Sequence, residues 1–498
     1  MIKPVLPVDR ELPLYGRAST RSIERAALAS LPPHSLMERA GLAAARLALA
    51  VAPHASTIWI ACGPGNNGGD GLVAARWLHQ AGKVVRLTLL AQTDRLPGDA
   101  KQALDLARAA GLQIHRALPA NDQGFDLALD ALLGIGVNRP VEGELGLAID
   151  SLNRAHCPVM ALDLPSGLNA DTGQALGTHW VRAQHTLALL TLKPGLFTGS
   201  GRAAVGRLWF DALGVEPERP ADAHLLGTNA SAAWTRPRLH GQHKGSFGDV
   251  IVLGGAPGMT GAALLAARAA HAAGAGRVYL SLLDCESLPG ADPARPELMS
   301  MHWQQAQTSA QLAARTVVCG CGGGQAVGQV LPGLLDLAPR LVLDADALNA
   351  IASDAPLQTQ LSQRAKRGLT TVLTPHPLEA ARLLACPTAQ VQADRLAAAH
   401  ALSQRFDCTV LLKGSGTVLA APGRTPAINS SGSAALATAG TGDVLAGWLG
   451  GLWAQAPHTS GFEAAAAACH WHGRAADGSA QTLVRAADLI ELMLKPGV

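Results

Sequence analysis

The run SGSAALATAGTGDVLAG, residues 431–447, sets Gly440, Thr441 and Gly442 at the start of an apolar, helix-forming stretch. The first N–H groups of a helix have no partner within it, and small residues let an anion approach them. This terminus is therefore predicted to stabilise charge on a transferring phosphoryl group. Asp443 stands in the first turn, placed to accept a proton from an attacking hydroxyl. In isolation, a plain carboxylate that favours the helix dipole would read the same.

Upstream, apolar runs at Val250–Leu253, Val278–Leu282, Thr316–Val318, Leu341–Leu343, Thr371–Leu373 and Thr409–Leu412 alternate with helical stretches. That rhythm predicts a parallel sheet flanked by helices, whose ligands gather beyond the carboxyl ends of the strands. Polar clusters fall at those ends. VVCGCGGGQ (317–325) contributes Gly324, VLDADALN (342–349) contributes Asp344 and Asp346, and TPHPLEAARLL (374–384) contributes His376 and Glu379. Unpaired carboxylates are costly to bury, so Asp344 and Asp346 are expected to face solvent, a cation or a ligand. Pro377 and Glu379 would also suit a helix start that binds nothing. Lys413, Gly414, Ser415, Gly416 and Thr417 form KGSGT, which either cradles phosphates on backbone N–H groups or makes a hairpin turn. APGMTGA (256–262), with Ala262, permits close packing or close ligand approach.

A similar series fills the first half. Strands are predicted at Ser56–Ala61, Val84–Leu90, Leu127–Leu129, Val159–Leu162 and Thr186–Leu190, after helical periodicity over 21–50 broken at Pro32 and Pro33. GPGNNGGDG (63–71) links the first strand to the helical LVAARWLHQAG. Its glycines permit close approach to a phosphate or ribose, or supply positive φ in a tight turn, but the GxGxxG fingerprint is not met. DALLGIG (130–136) and LDLPSGLNADTG (162–173) fall at later strand ends, so Asp70, Asp130, Asp163 and Ser166 are expected in one crevice, although Asp130 alone would serve as a helix cap. Oxygen donors such as Asn67, Asp130 and Ser166 suit a hard cation. Between about Val215 and Gly241 periodicity is lost in PERPADAHLLG and TRPRLHGQHKG, which divides the chain into domains 1–220 and 221–498.

Composition narrows the class. The chain has 498 residues, 48% hydrophobic and 15% charged, with a net charge of +3. Two packed cores are expected, and disorder is not. No basic block with interleaved aromatics tracks a phosphate backbone, so nucleic acid is excluded as a partner. Eight cysteines without a CxxC pair read as reduced core residues; neither Cys319 with Cys321 nor Cys469 with His470 and His472 has the second ligand pair of a metal site. With no signal-peptide core and no run of about 20 apolar residues, no membrane partner and a cytoplasmic location are expected.

In the first half LMERAG (36–41), GPGNNGGDG, DALLGIG and DLPSG occur in an order that resembles the NAD(P)H-hydrate epimerase domain. The resemblance implies a Rossmann-like αβα sheet, substrate contacts at Asn66, Asn67, Gly68, Gly69, Asp70, Gly134 and Asp163, and potassium on Asn67, Asp130 and Ser166. Asp163 becomes a candidate acid or base for interconverting the R and S hydroxyls at nicotinamide C6, which also needs a second such group. In the second half HKGSFG (243–248), GMTGA, RPELM (295–299), LDADALN, TPHP, LKGSGT and AGTGD resemble the ADP/ATP-dependent NAD(P)H-hydrate dehydratase domain, which is ribokinase-like. Its pattern implies ADP or ATP, with magnesium, on Lys413–Thr417 and Gly442, and the hydrated nucleotide near Ala262, Gly324, His376 and Asp443. Cys321 stands where the family usually has proline, and Leu378 where it often has glycine. The substrates implied are NADHX and NADPHX, and a homo-oligomer is expected. Two rivals remain at this point: a vitamin or sugar kinase fused to a Rossmann-like domain, which would release a stable phosphorylated product, and a first half that is only a nucleotide-binding or regulatory module.

Overall fold

Alternating strands and helices build two α/β units, Met1–Pro7 with Pro13–Ala223 and Val8–Leu12 with His224–Val498. The structure is a computed structural model and describes residues 1–120, 123–232, 234, 237–283, 290–479 and 481–494. Residues 235 and 236 of the TRPRLHG stretch lie outside the described residues.

In the first unit, Thr57–Cys62 pairs in parallel with Val84–Leu89 on one side and Leu127–Ala131 on the other, and Val159–Leu162, His185–Leu189 and Arg207–Asp211 continue the sheet. Chain order reverses between Thr57–Cys62 and Leu127–Ala131. At that switch the turns leaving two adjacent strands part, and a crevice opens beyond their carboxyl ends. The helix predicted after Gly71 already begins at Asn66 and runs to Gln80, so NNGGDG forms its first turns. Nor do Gly63, Gly65, Gly68, Gly69 or Gly71 take positive φ. Close approach explains all but Gly65, beside which a Cβ would meet nothing within 4 Å: a Cβ on Gly63 would lie 1.8 Å from the Leu132 carbonyl oxygen, and one on Gly68 2.0 Å from that of Gly63.

The second unit repeats the plan. Asp249–Gly254 lies between Arg277–Leu282 and Thr316–Cys319, and Arg340–Leu343, Thr370–Leu373 and Thr409–Leu412 follow in parallel. Two short antiparallel strands, Val418–Ala420 and Ala427–Ile428, then extend the edge. These have too few residues to show period-two alternation, which is why the apolar pattern did not reveal them. Among the described residues, no helix is long and apolar enough to cross a membrane.

The glycine-led helix, Thr441–Gln455, is wedged between the sheet and the helix Thr260–Ala272. Gly450 faces Val318 on the sheet, while Gly447 and Gly451 meet the neighbouring helix backbone. A Cβ at Gly447 would stand 2.0 Å from the Ala266 carbonyl oxygen, and one at Gly451 2.3 Å from that of Ala270. Backbone cannot yield as a side-chain tip can, so these glycines fix the depth at which Asp443 is held. Gly447→Ala should therefore destabilise the second unit by about 1–3 kcal/mol, the usual cost of overpacking, read as a lower urea midpoint at unchanged slope.

Candidate functional site

Each unit places a lysine–aspartate pair at the carboxyl edge of its sheet. In the first, Asp163 follows Val159–Leu162 in the left-handed region, φ 67°. Its carboxylate accepts from the Leu189 amide at 3.2 Å and from the Lys193 ammonium, which is 1% exposed and also donates to the Leu189 carbonyl at 2.7 Å. Strain of this kind persists only where surroundings over-determine it. Lys193 was missed by sequence reasoning. It carried no motif, but LKPG lies just past the strand His185–Leu189, where the same carboxyl-edge rule could have found it.

A cleft of about 1100 Å³ opens beside the pair, lined among others by Asn66, Asn67, Asp70, Gly134, Asp163 and Lys193. Gly68 and Gly69 are buried in the helix. Asp70 is held well above the usual carboxylate range, by burial first and then by the charges of Asp163 and Glu24. Behind the cleft wall, Asp130 is fully buried within its strand, so it caps no helix; it accepts from the Leu132 amide at 3.1 Å, the Ser166 amide at 2.8 Å and the Ser166 hydroxyl at 2.6 Å. Burial pushes its carboxyl up to about 6, against these hydrogen bonds. Asn67 is 7% exposed, and neither its side-chain oxygen nor its nitrogen has a partner. An orphaned buried amide oxygen, and a buried carboxylate with no ion-pair partner among the described residues, are hard oxygen donors of the kind that suits a hard cation.

In the second unit the adjacent strands Arg340–Leu343, Thr370–Leu373 and Thr409–Leu412 end in Asp344, Thr374 and Lys413. Asp344 is buried and accepts from the Lys413 ammonium and the Thr374 hydroxyl, each at 2.7 Å. The cation expected for Asp344 is thus the protein's own ammonium. Asp346 instead accepts from the Gly324 amide at 2.9 Å. Gly440, φ 89°, turns the chain into Thr441–Gln455, and a Cβ on Gly442 would come within 3.3 Å of the Lys413 ammonium.

The ligating atoms of Cys321, Asp344 and Asp443 lie within 4.8 Å of one another, and the Cys321 thiol hydrogen-bonds Asp443. Burial and then the Asp344 charge push Asp443 up to about 6, while Lys413 pulls the other way. Burial pulls the Lys413 ammonium down, but the charges of Asp344 and Glu379 leave it raised. This is therefore a poised carboxylate, a fixed ammonium and a glycine-lined helix mouth in one place.

His376 and Ala262 stand differently. His376 caps the helix Pro377–Leu384: Nδ1 accepts from the Leu378 and Glu379 amides at 3.1 and 3.3 Å, and Nε2 lies 3.1 Å from Glu379. Both ring nitrogens are taken, the helix start expected from Pro377 and Glu379 is present, and a ligand would meet the ring by its face or edge. Ala262 is half-buried, near the position a Cβ on Gly322 would take. Lys413–Thr417 joins two antiparallel strands, so the hairpin reading of KGSGT also holds. Cys319 and Cys469 are buried core thiols; His470 contacts Ser231, and His472 contacts the Thr441 carbonyl at 2.9 Å beneath the helix mouth.

A model described as the YjeF-related protein N-terminus matches residues 33–195, and one described as NAD(P)H-hydrate dehydratase matches residues 250–495. A bifunctional NAD(P)H-hydrate repair enzyme of Escherichia coli (strain K12) is 38% identical, over 91% of this chain and 87% of its own. One from Leishmania braziliensis is also 38% identical, over 96% of this chain and 92% of its own. Among solved structures, the ADP/ATP-dependent NAD(P)H-hydrate dehydratase from Bacillus subtilis co-crystallised with ATP/Mg2+ is 27% identical, covering 52% of this chain and 91% of that chain, with a TM-score of 0.42. With relatives this similar across both units, the chain belongs to the family of bifunctional NAD(P)H-hydrate repair enzymes.

Proposed function

We propose that residues 1–220 interconvert the R and S epimers of hydrated NADH and NADPH, and that residues 221–498 dehydrate the S epimer at the expense of ADP or ATP. The observation that carries this reading is Asp443, held near neutrality beside Lys413 at the mouth of a glycine-led helix.

In the second unit the ionised Asp443 takes the proton of the C6 hydroxyl, whose oxygen forms a bond to the terminal phosphorus while the bond to the leaving nucleotide breaks. With ADP, AMP departs; the C6–O bond then breaks to release phosphate while C5 gives up a proton to solvent, and the C5–C6 double bond of the dihydronicotinamide is restored. The Lys413 ammonium, Gly442 and the amides of the Gly414–Thr417 turn bear the negative charge, and Ala262, Gly324 and His376 border the nicotinamide end. Positioning and electrostatics dominate such transfers. Magnesium, when bound with the nucleotide, would supply charge screening for the transfer; the Asp344 carboxylate already has Lys413 as its cation.

In the first unit Asp163 and Lys193 are the acid–base pair at the carbinol carbon, with Asn66, Asp70 and Gly134 along the nucleotide. Asn67, Asp130 and Ser166 would hold potassium, which would supply a positive charge to the buried Asp130 carboxylate.

Release of inorganic phosphate and return of NADH absorbance separate this reading from a kinase that releases a phosphorylated product. Asp443→Asn should lower dehydration roughly 10²–10⁴-fold, the usual range for a lost general base, with nucleotide binding retained. In the parent chain the rate should fall as pH drops through about 6, where the raised Asp443 carboxyl gains its proton. Lys193→Met should slow epimer exchange, followed by NMR, by at least about a hundredfold, while dehydration of supplied S epimer continues. Replacing potassium by tetramethylammonium at equal ionic strength should lower the melting temperature of the first unit, and Asn67→Ala should abolish that difference.

A further inference from the structure

Two arginines are buried to 1% exposure in the second unit, Arg364 and Arg395, and they serve unlike surroundings. Arg364 gathers the carbonyls of Leu334, Leu335 and Ala338 at the end of the helix Val327–Leu337, together with the Thr371 hydroxyl. This is a structural clamp on helix-end carbonyls, which lack intrahelical donors. Arg395 opens the helix Arg395–Phe406 directly behind the hairpin Lys413–Thr417. It donates to the carbonyls of Leu412 at 3.1 Å, Lys413 at 3.0 Å and Gly416 at 3.4 Å, and to the Gln392 side chain at 2.9 Å. Among the described residues no carboxylate pairs with it, and its Nε has no partner. Burial lowers its pKa to about 10, so the charge persists at neutral pH.

The hairpin is shaped to that guanidinium. Gly414 has φ 139°, and a Cβ there would lie 2.8–3.0 Å from the Arg395 guanidinium atoms. In a trans peptide the carbonyl and the following N–H point in opposite directions. Fastening the carbonyls of Lys413 and Gly416 to Arg395 therefore turns the amides of Gly414 and Thr417 away from it. Neither amide donates to a protein group among the described residues. Outward-facing amides before a buried positive charge make an anion cradle.

We propose that Arg395 is a positioning residue for the nucleotide co-substrate: from behind the hairpin it aims the Gly414 and Thr417 amides at the phosphates, and its charge is balanced by them. The inference rests on the assignment of ADP to this hairpin and names the residue that gives the hairpin its binding shape. Arg395 touches no reacting atom, so its loss acts on nucleotide affinity ahead of the chemistry.

ADP binding to the full chain by calorimetry tests this, alongside KM for ADP and for the hydrate. Arg395→Lys keeps a positive charge, but its ammonium ends one bond short of the Nη2 that serves all three carbonyls and gives up the Nη1 bond to Gln392; it should weaken ADP binding at least about tenfold, leaving KM for the hydrate and the pH profile of kcat unchanged. Gly414→Ala crowds the guanidinium and strains the hairpin at φ 139°, and should give the same selective loss. ADP affinity within twofold of the parent in both single variants would overturn the proposal, as would a lowered melting temperature with affinity retained. Failure of the parent chain to bind ADP or ATP at all would instead sink the functional reading beneath it.

Discussion

Lysine and aspartate meet at the carboxyl edge of each sheet, Lys193 with Asp163 and Lys413 with Asp344, and the rest of each site answers to that contact. Withdrawing such charges from water costs several kcal/mol per ion unless geometry and further hydrogen bonds repay it. Here they do, through the Leu189 amide and carbonyl in one unit and the Thr374 hydroxyl in the other. One ammonium cannot neutralise every carboxyl nearby. Burial first, and then the neighbouring carboxylates, push Asp70 and Glu24 in the first unit and Asp443 and Glu379 in the second upward, Glu379 to about 7. Groups poised near neutrality are what proton transfer needs.

The glycines divide along similar lines. Gly440 takes the left-handed turn that opens the Asp443 helix, and Gly414 a conformation that few side chains tolerate. Gly63, Gly68, Gly447 and Gly451 have ordinary backbone and are glycine because another backbone touches them. The first kind points the chain at a ligand; the second sets how closely two elements approach.

Much of this was legible in the sequence. Val159–Leu162 and Thr409–Leu412 stand at the predicted bounds, and the other predicted strands fall within a residue or two, because buried parallel strands are short apolar runs. The polar clusters after them follow the strand-end rule. Other features had no such signal. Asn66 begins a helix whose glycines disguise it as loop, and Arg395 and Lys193 are charged residues inside the protein, where no periodicity announces them. Pro377 and Glu379 marked a helix start, but only coordinates could show that the nitrogens of His376 cap it.

The passage of Val8–Leu12 into the second unit carries a consequence of its own. Thr228 and Asn229 donate their amides to the carbonyls of Val8 and Asp9, so a few residues from the chain's beginning complete a body made otherwise of its latter half. Proteolytic nicking near residue 223 would leave those five residues on the other fragment. A gene split at that point would likewise encode a catalytic half lacking part of its own border, and any free-standing descendant would have had to evolve a replacement for it.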